Sequence, residues 1–397
     1  MIAIRGGTVL TPSETIEDGV VLIEQGKIVG VSSDLKVPAD ADVIDASGQV
    51  VMPGMIDAHC HTGVFGDGIG WVHADGNEMT DPITPHLRAI DAIHPEDIAF
   101  KDLREAGVTT INTGPGSGNL IGGQTAAVKT AGRTIDDMLV AFPVGMKMAL
   151  GENPKRVYGE QKKTPSTRMG NAATLREWLT KAQGYLEKGA RHAKKLSDFH
   201  EGVGGATEPE PFELDLKLEA LAHVLRRDIP AHIHAHRADD IMTAVRIAEE
   251  FELDLVLIHA TEGYKIADIL AKKMIPCVPG PILFSRSKVE LREMTPKNAG
   301  ILANAGVKVA IQTDQMSAVR YLRLDAAVAV NEGMSEQDAL RAITLTPAEI
   351  LGIDHRLGSI EAGKDADLVL LSAHPLDVAH GRVQRVLING ETVFSRA

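Results

Sequence analysis

Residues 50–61 have the sequence Val50-Val51-Met52-Pro53-Gly54-Met55-Ile56-Asp57-Ala58-His59-Cys60-His61. The apolar residues around the Pro-Gly break predict a short buried strand that ends in two histidines. Side chains two positions apart on a strand point the same way, so His59 and His61 can both reach one point in space. Imidazole binds zinc, iron, manganese and nickel, and the pair supplies half of a metal site. Cys60 points away from both histidines and is predicted to pack in the core.

Length and composition are typical of a globular protein, and a small molecule is expected as its partner rather than nucleic acid or a membrane. The chain has 397 residues, enough for a barrel of about 250 residues and a smaller accessory domain. It carries 41 Lys and Arg against 54 Asp and Glu, a net charge of −13, which argues against nucleic acid or an anionic membrane as the main partner. It has only two cysteines, no leader pattern and no apolar run of spanning length, so a cytoplasmic location is expected.

Short strand patterns occupy both ends of the chain. They cover residues 2–11, 20–24, 27–31, 43–45 and 49–52, and then 367–371, 383–388 and 392–394 with a turn at Asn389-Gly390. A few antiparallel strands cannot bury both of their faces unaided. We therefore predict one β-sandwich domain built from residues 1–53 and 357–397.

Residues 54–356 alternate strand and helix patterns, which is typical of βα units. Predicted strands follow Met55 at 108–112, 122–128, 142–149, 231–235, 255–259, 275–278 and 307–313, and predicted helices lie at 95–106, 174–196, 214–227, 238–251, 265–273, 295–305 and 318–332. About eight parallel strands predict a (β/α)8 TIM barrel inserted in the sandwich, with an open doubly wound sheet as the alternative. Residues from about 152 to 211 form a long excursion, which is either a lid over the site or a solvated insertion.

Metal-ligand types fall at the ends of several predicted strands. In a barrel these ends meet on one face, and there the chain places Lys147, His232, His234, His236, His259 and Asp314. Each has an ordinary alternative: His259 can be a core histidine, Asp314 a helix N-cap and Lys147 a snorkelling surface side chain. Their shared position at one end of successive strands favours a metal site.

Two motifs resemble those of the amidohydrolase superfamily. The segment at 51–61 is similar to its first-strand motif, and Gly358-Ser359-Ile360-Glu361-Ala362-Gly363-Lys364-Asp365-Ala366-Asp367-Leu368-Val369 is similar to its closing motif. The resemblance covers nearly the whole chain and is nearest to the imidazolonepropionase-related branch, which includes dipeptidases and carboxypeptidases. It implies two divalent ions, zinc first, with iron, manganese or nickel as alternatives. The implied ligands are His59, His61 and Asp314 for one ion, and His234 and His259 for the other.

The resemblance also implies a ligand that bridges the two ions. In some members it is a lysine carbamate formed with carbon dioxide, and Lys147 is placed for that role. Glu152 is the alternative bridging ligand, and some members have one metal and no bridge. The family pattern favours His234 as the fifth-strand ligand, which leaves His236 nearer the pocket to contact substrate and His232 deeper in the barrel.

Substrate contacts are expected from loops beyond these strands. The candidates are the glycine-rich residues 114–123, Gln124, Lys155, Arg156, Tyr158, Arg286 and Lys288. Arg286 and Lys288 are suited to binding a substrate carboxylate. The glycine spacing at 118–125 resembles a P-loop, but Gln124 stands where the phosphate-binding lysine is required, so ATP is not expected.

The predicted reaction is hydrolysis of a carbon–nitrogen bond in an amide, peptide-like compound or cyclic amide. A metal-activated hydroxide attacks the carbonyl, and Asp314 acts first as general base and then as general acid. The alternative is a mononuclear aminohydrolase that removes an amino group from a ring. A catalytically silent scaffold of the same fold is the less favoured third hypothesis, and the oligomeric state is open.

Overall fold

The first strands of the chain begin a terminal sheet. The computed structural model describes residues 1–396, and five strands come before the first barrel strand: β1 (Ile2–Leu10), β2 (Thr15–Glu24), β3 (Lys27–Ser32), β4 (Asp42–Asp45) and β5 (Val50–Pro53). β1 pairs with β4 through residues 2–5 and with β5 through residues 8–9. Between these pairings Gly6 has a φ of 78°, a conformation that costs little only for glycine. Gly6 therefore marks the point at which β1 passes from one neighbour to the other.

Seven further strands form a second, barrel-like sheet. In chain order and in spatial order they are β6 (Met55–Cys60), β7 (Val108–Thr113), β8 (Ile121–Lys129), β9 (Leu139–Ala149), β10 (Ala231–Ala235), β11 (Leu255–His259) and β12 (Cys277–Pro279). β8 runs antiparallel to both β7 and β9, so the prediction of eight parallel strands is wrong there. The cause is the short connection from β7 to β8, because a parallel return needs a crossover of about a dozen residues.

Residues 308–314 close this sheet at the position of the eighth predicted strand. On one side Ala310 N and Gln312 N donate to backbone carbonyls of β12 at 3.1 and 3.2 Å. On the other side Asp314 N donates to His59 O at 3.2 Å. The segment is thus an irregular strand that joins β12 to β6 and places Asp314 beside His59.

Within residues 1–396, eleven α-helices surround the barrel-like sheet or extend from it. They are α1 (Ile98–Glu105), α2 (Ile135–Met138), α3 (Glu152–Glu160), α4 (Arg168–His200), α5 (Leu216–Leu225), α6 (Ala238–Phe251), α7 (Ala267–Lys272), α8 (Asn298–Asn304), α9 (Leu322–Asn331), α10 (Glu336–Ala342) and α11 (Leu345–Ile350). α1 begins later than predicted because Asp97 caps it, accepting a hydrogen bond from Ala99 N at 2.9 Å. No helix of the described residues is long and apolar enough to cross a membrane.

The predicted excursion at 152–211 is largely helical. α3 and the first half of α4 pack on the barrel, and Leu175, Leu179 and Ala182 form the buried face of α4 at helical spacing. Asn171 Nδ2 donates to Gly151 O at 2.8 Å, which ties α4 to the end of β9. The second half of α4 is mainly exposed. The excursion therefore combines a wall near the site with a solvated extension.

The chain ends by returning to the terminal sheet. β13 (Leu368–Leu371), β14 (Val383–Ile388) and β15 (Glu391–Ser395) extend it in the order β15-β14-β13-β5-β1-β2-β3, with β4 beside β1. The predicted sandwich is therefore one continuous hydrogen-bonded sheet of eight strands. It surrounds a core of its own, which includes Ile4, Val21, Ile44, Leu368 and Leu387.

A buried ion network joins the two sheets. Lys129, at the end of β8, donates to Asp365 at 2.8 Å and to Asp367 at 2.9 Å. Arg356 donates to the same Asp365 carboxylate at 2.9 Å, and Lys27 of β3 pairs with its other oxygen. Lys129 is only 3% exposed, so removing one of its two carboxylate partners would leave its buried charge less well compensated.

Candidate metal centre and active site

β6 carries three polar side chains into the barrel on one face. His59 is fully buried, and His61 follows it at the end of the strand. Asp57 accepts hydrogen bonds from His59 N at 2.9 Å and from Thr313 Oγ1 at 2.7 Å. Burial raises the pKa of Asp57 to about 7. Asp57 thus connects the strand that bears both histidines to the segment that bears Asp314.

Asp314 lies where three imidazoles converge. Its Oδ1 is 3.2 Å from His61 Nε2, 3.5 Å from His59 Nε2 and 3.8 Å from His259 Nε2. Burial by itself would raise the pKa of Asp314, but the charge of the imidazoles in their protonated form and their hydrogen bonds lower it. As a carboxylate, Asp314 is a hydrogen-bond acceptor only.

The positions of His61, His259 and Asp314 bring hydrogen-bond acceptors together with no donor hydrogen between them. His61 Nδ1 lies 2.8 Å from Gly114 O, and His259 Nδ1 lies 2.8 Å from Gly280 O. A carbonyl oxygen only accepts, so Nδ1 carries the hydrogen in both rings and Nε2 of each neutral ring is an acceptor. Both Nε2 atoms face the Asp314 carboxylate. A metal cation satisfies such a set of acceptors, and the residues therefore fit a metal site.

Lys147 extends from β9 into this cluster. Its Nζ lies 2.6 Å from His59 Nε2, and its side chain is fully buried. Burial lowers the pKa of the Lys147 amine to about 8, which makes the neutral, nucleophilic form accessible. Gly122 on β8 faces the stem of this lysine: a Cβ there would lie 3.7 Å from Lys147 Cγ.

β10 and β11 contribute a second group of imidazoles. The ring centroids of His234, His236 and His259 lie 4.4 to 4.5 Å apart. Their ligand atoms could hold one metal ion, and the Nε2 atoms of all three rings are buried without a hydrogen-bond partner. His236 Nδ1 lies 2.7 Å from Thr261 Oγ1, which orients the ring. The structure thus groups His236, predicted as a substrate contact, with His234 and His259 in one candidate ligand set.

His232 lies deeper, as predicted, beside Lys147 in the β9–β10 pairing. Both of its ring nitrogens are buried without a partner, and burial lowers its pKa to about 3. A Cβ at Gly145 would lie 2.4 Å from the His232 ring, so a glycine is required opposite it.

Several predicted contacts lie away from the cluster. Gln124 Nε2 donates to Pro85 O at 3.1 Å, so this side chain anchors the segment at 83–92. Tyr158 is fully buried and its hydroxyl donates to Asn119, which makes it a core residue. Arg286 is exposed and bonds backbone carbonyls of its own loop. None of these three predicted substrate contacts lines the cavity at the cluster.

Of the remaining predicted residues, some lie at the histidine cluster and its cavity and others do not. Of the two candidate bridging ligands, Lys147 contacts His59. Glu152 begins α3, and its carboxylate lies near Lys288 and Glu290. Lys155 and Arg156 do not line the cavity at the cluster, whereas Lys288 does.

Sequence reasoning missed residues that orient the ligand types. Gln312 Nε2 donates to Gly280 O at 2.6 Å beside His259. Asp57 and Gln312 each lie two positions before a ligand candidate, and this spacing could have identified them. Thr261 follows His259 on a loop and carries no such signal.

The matches to known proteins agree with this arrangement. Residues 50–393 match the family described as the Amidohydrolase family. The chain belongs to the amidohydrolase family. The predicted superfamily resemblance is thereby confirmed, and the chain is a hydrolase of a family named for carbon–nitrogen bond cleavage. Membership in an enzyme family counts against the silent-scaffold hypothesis.

Curated relatives of this amidohydrolase differ in length and in name. "Amidohydrolase tasK" of Hapsidospora irregularis is 32% identical over 396 residues, which are 95% of this chain and 40% of that protein. The chain thus spans less than half of the length of that relative. An imidazolonepropionase of Thermoplasma volcanium is 23% identical over 410 residues, covering 96% of this chain and 92% of its own.

Solved structures share the architecture of this amidohydrolase. The crystal structure of an amidohydrolase from Thermotoga maritima MSB8 has a TM-score of 0.92 and 44% identity, with 100% of both chains covered. A prolidase complexed with N-methylphosphonate-L-proline has a TM-score of 0.59 and 19% identity, with both chains fully covered. The second likeness concerns the fold alone.

Proposed function

We propose that this amidohydrolase hydrolyses a carbon–nitrogen bond of a small amide, peptide-like compound or cyclic amide at a divalent metal centre. The observation that carries the proposal is the convergence of the His61 and His259 Nε2 acceptors on the Asp314 carboxylate. A divalent cation would satisfy all of these acceptors at once.

The residues divide into two ligand groups. His59, His61 and Asp314 would hold one ion, and His234 and His259 would hold a second, with His236 close enough to join them. Lys147 would bridge as a carbamate: its neutral Nζ forms a bond to the carbon of carbon dioxide and releases a proton. Zinc, iron, manganese and nickel all suit this mixed nitrogen and oxygen set. When bound, the metal would lower the pKa of water and polarise the substrate carbonyl.

The protein's own part in the reaction centres on Asp314. In its carboxylate form Asp314 can accept the proton of the attacking water. It then donates that proton to the leaving nitrogen, which departs as an amine. Carbonyl hydrogen bonds fix His61 and His259 around it, and Asp57 holds the backbone of the same segment.

A mononuclear aminohydrolase is the second candidate function. The ligand atoms of His59, His259 and Asp314 form a compact group without any bridge. In this alternative Lys147 stays an unmodified amine beside His59. Metal analysis separates the two, because one ion per chain with unmodified Lys147 would exclude the binuclear proposal.

We also propose that the barrel-like sheet is a (β/α)8 TIM barrel with one reversed strand, inserted between the two halves of the terminal domain. Seven strands and the closing segment at 308–314 support this. A cytoplasmic location and a possible homo-oligomer are part of the same proposal. The two buried free cysteines are consistent with a reducing compartment.

The experiment is a hydrolysis screen of the purified, metal-loaded protein. Dipeptides, N-acyl amino acids, lactams and cyclic ureas would be tested with wild type, Asp314→Asn and the exposed control Asp91→Asn. Asp314→Asn is expected to lower kcat roughly 100- to 10,000-fold on any substrate found, because it removes the base. Full activity of Asp314→Asn would exclude the proposed role, and Asp91→Asn should match wild type.

A further inference from the structure

A cavity of about 200 Å³ opens beside the candidate metal centre. His236, His259 and Asp314 line its inner end, so a group bound there lies next to the reacting atoms. Phe284 and Leu291 contribute an apolar wall. The volume accommodates an amino-acid-sized part of a substrate.

Lys288 lines the same cavity and is the cation that faces it. Its Nζ donates to Asn153 Oδ1 at 3.2 Å, and Asn153 Nδ2 donates to Ser117 Oγ at 2.7 Å. This relay joins three elements: the loop after β12, the first turn of α3 and the glycine-rich loop. Lys288 is therefore held in position by a neutral partner.

No carboxylate of residues 1–396 forms an ion pair with Lys288. Glu290, two residues later, pairs instead with Arg168. Burial lowers the pKa of Lys288, although the carboxylates of Glu290, Asp314 and Glu152 oppose this shift from a distance. An anion entering the cavity would find a positioned, partly desolvated cation, the setting in which a charge-assisted hydrogen bond is strongest.

Arg286 offers the contrast within the same loop. Its guanidinium donates to the carbonyls of Arg292 and Met294 at 2.9 and 3.3 Å, and the residue is exposed. Its charge is therefore directed into the loop backbone, and Arg286 does not line the cavity. It provides a matched cation two positions away.

We propose that Lys288 binds a substrate carboxylate, so that the substrates are acidic amides with an apolar side chain, such as N-acyl amino acids or dipeptides with a free C-terminus. The proposal rests on the proposed function, because it places the scissile amide at the cluster of His259 and Asp314. The apolar wall receives the side chain, and Lys288 receives the acid.

The test measures binding separately from hydrolysis. The probes are N-acetyl-L-leucine, N-acetyl-L-methionine and N-acetyl-L-phenylalanine, each as the free acid and as the uncharged carboxamide. Calorimetric titrations use metal-loaded Asp314→Asn protein, alone and combined with Lys288→Gln, Lys288→Arg or Arg286→Gln. Metal content is measured for each variant. Kinetics with the same compounds use variants that retain Asp314.

Free acids should bind tighter than their carboxamides, and Lys288→Gln should weaken acid binding roughly 10- to 100-fold. Carboxamide binding should stay within about 3-fold, Lys288→Arg should retain much of the preference, and Arg286→Gln should have no effect. An acid-to-carboxamide ratio unchanged by Lys288→Gln, or no preference for acids, overturns the proposal. Lys288-dependent acid binding without hydrolysis by metal-loaded wild type would support the carboxylate site and reject the proposed function.

Discussion

The two candidate functions require different states of Lys147: a bridging carbamate in the binuclear hydrolase and an unmodified amine in the mononuclear aminohydrolase. Its Nζ contacts His59 in a fully buried position. Lys147→Met keeps an unbranched apolar stem and removes the amine, so a bridging carbamate cannot form. We expect bound metal to fall from about two ions per chain to about one, and activity to fall at least roughly 100-fold.

Metal analysis and 13C NMR of protein equilibrated with 13C-bicarbonate check this prediction. A carbamate signal should appear in wild type and in Lys155→Met, a variant of a lysine on α3 that does not line the cavity. The signal should be missing in Lys147→Met. Wild type without a carbamate signal, or Lys147→Met with unchanged metal content, would contradict the bridge.

At the scale of single residues, the sequence predicted residue types better than side-chain directions. Spacing was enough to select His59, His61, His259 and Asp314, because strand ends of a barrel converge. The direction of the Gln124 side chain depends on the register of a strand that runs antiparallel, and spacing does not give that register. Side-chain direction follows from tertiary packing, which spacing along the chain does not contain.

At the scale of elements, β8 shows what periodicity leaves undetermined. Its apolar pattern predicts a strand and carries no information on strand direction. The short connections on either side, one of them containing only the four-residue α2, determine the antiparallel course. Most of the predicted strands and helices lie within a few residues of the observed bounds, whereas α2, α3, α10 and α11 were not predicted.

The pairing of β9 and β10 leads to a stability prediction. A methyl group at Gly145 would lie 2.4 Å from the His232 ring, and both residues are enclosed by the barrel. We expect Gly145→Ala to lower the free energy of unfolding by about 1–3 kcal/mol through overpacking. Urea denaturation followed by circular dichroism measures the change.

Gly184→Ala is the matched control. Gly184 lies within α4, and a Cβ there meets nothing within 4 Å. Alanine should raise the free energy of unfolding by about 0.5–1 kcal/mol, because glycine is the poorer helix former. Equal effects of the two substitutions would show that the close approach at His232 does not matter.

At the scale of the whole molecule, Asp365 connects the terminal sheet to the barrel-like sheet. Burial alone would raise its pKa, but Lys129, Lys27 and Arg356 outweigh burial and lower it to about 2, from 3.8. A depressed carboxyl pKa stabilises the fold fully above the unfolded value and loses that stabilisation as pH falls through the folded value. The contribution is therefore present above about pH 4 and is lost between about pH 4 and pH 2.

We predict that Asp365→Asn lowers the free energy of unfolding by about 2 kcal/mol at pH 7. The difference in the free energy of unfolding between wild type and variant should become smaller as pH falls below 4, because the Asp365 carboxylate of wild type is then protonated and loses its charge. Denaturant titrations from pH 7 to pH 3 measure this difference in the free energy of unfolding, with exposed Asp91→Asn as the control. A gap that stays constant over this range would exclude the ion network as its source.

The terminal sheet also has a consequence for synthesis of the chain. β5 ends at Pro53, and the strand that pairs with it, β13, begins only at Leu368. A ribosome adds about 300 residues between them, which takes roughly 15–60 s at the usual rate of elongation. Throughout that interval β5 can pair with β1, but the side of β5 that faces β13 has no partner strand. We expect chaperones that hold nascent chains to bind this segment, which also leads into His59 and His61.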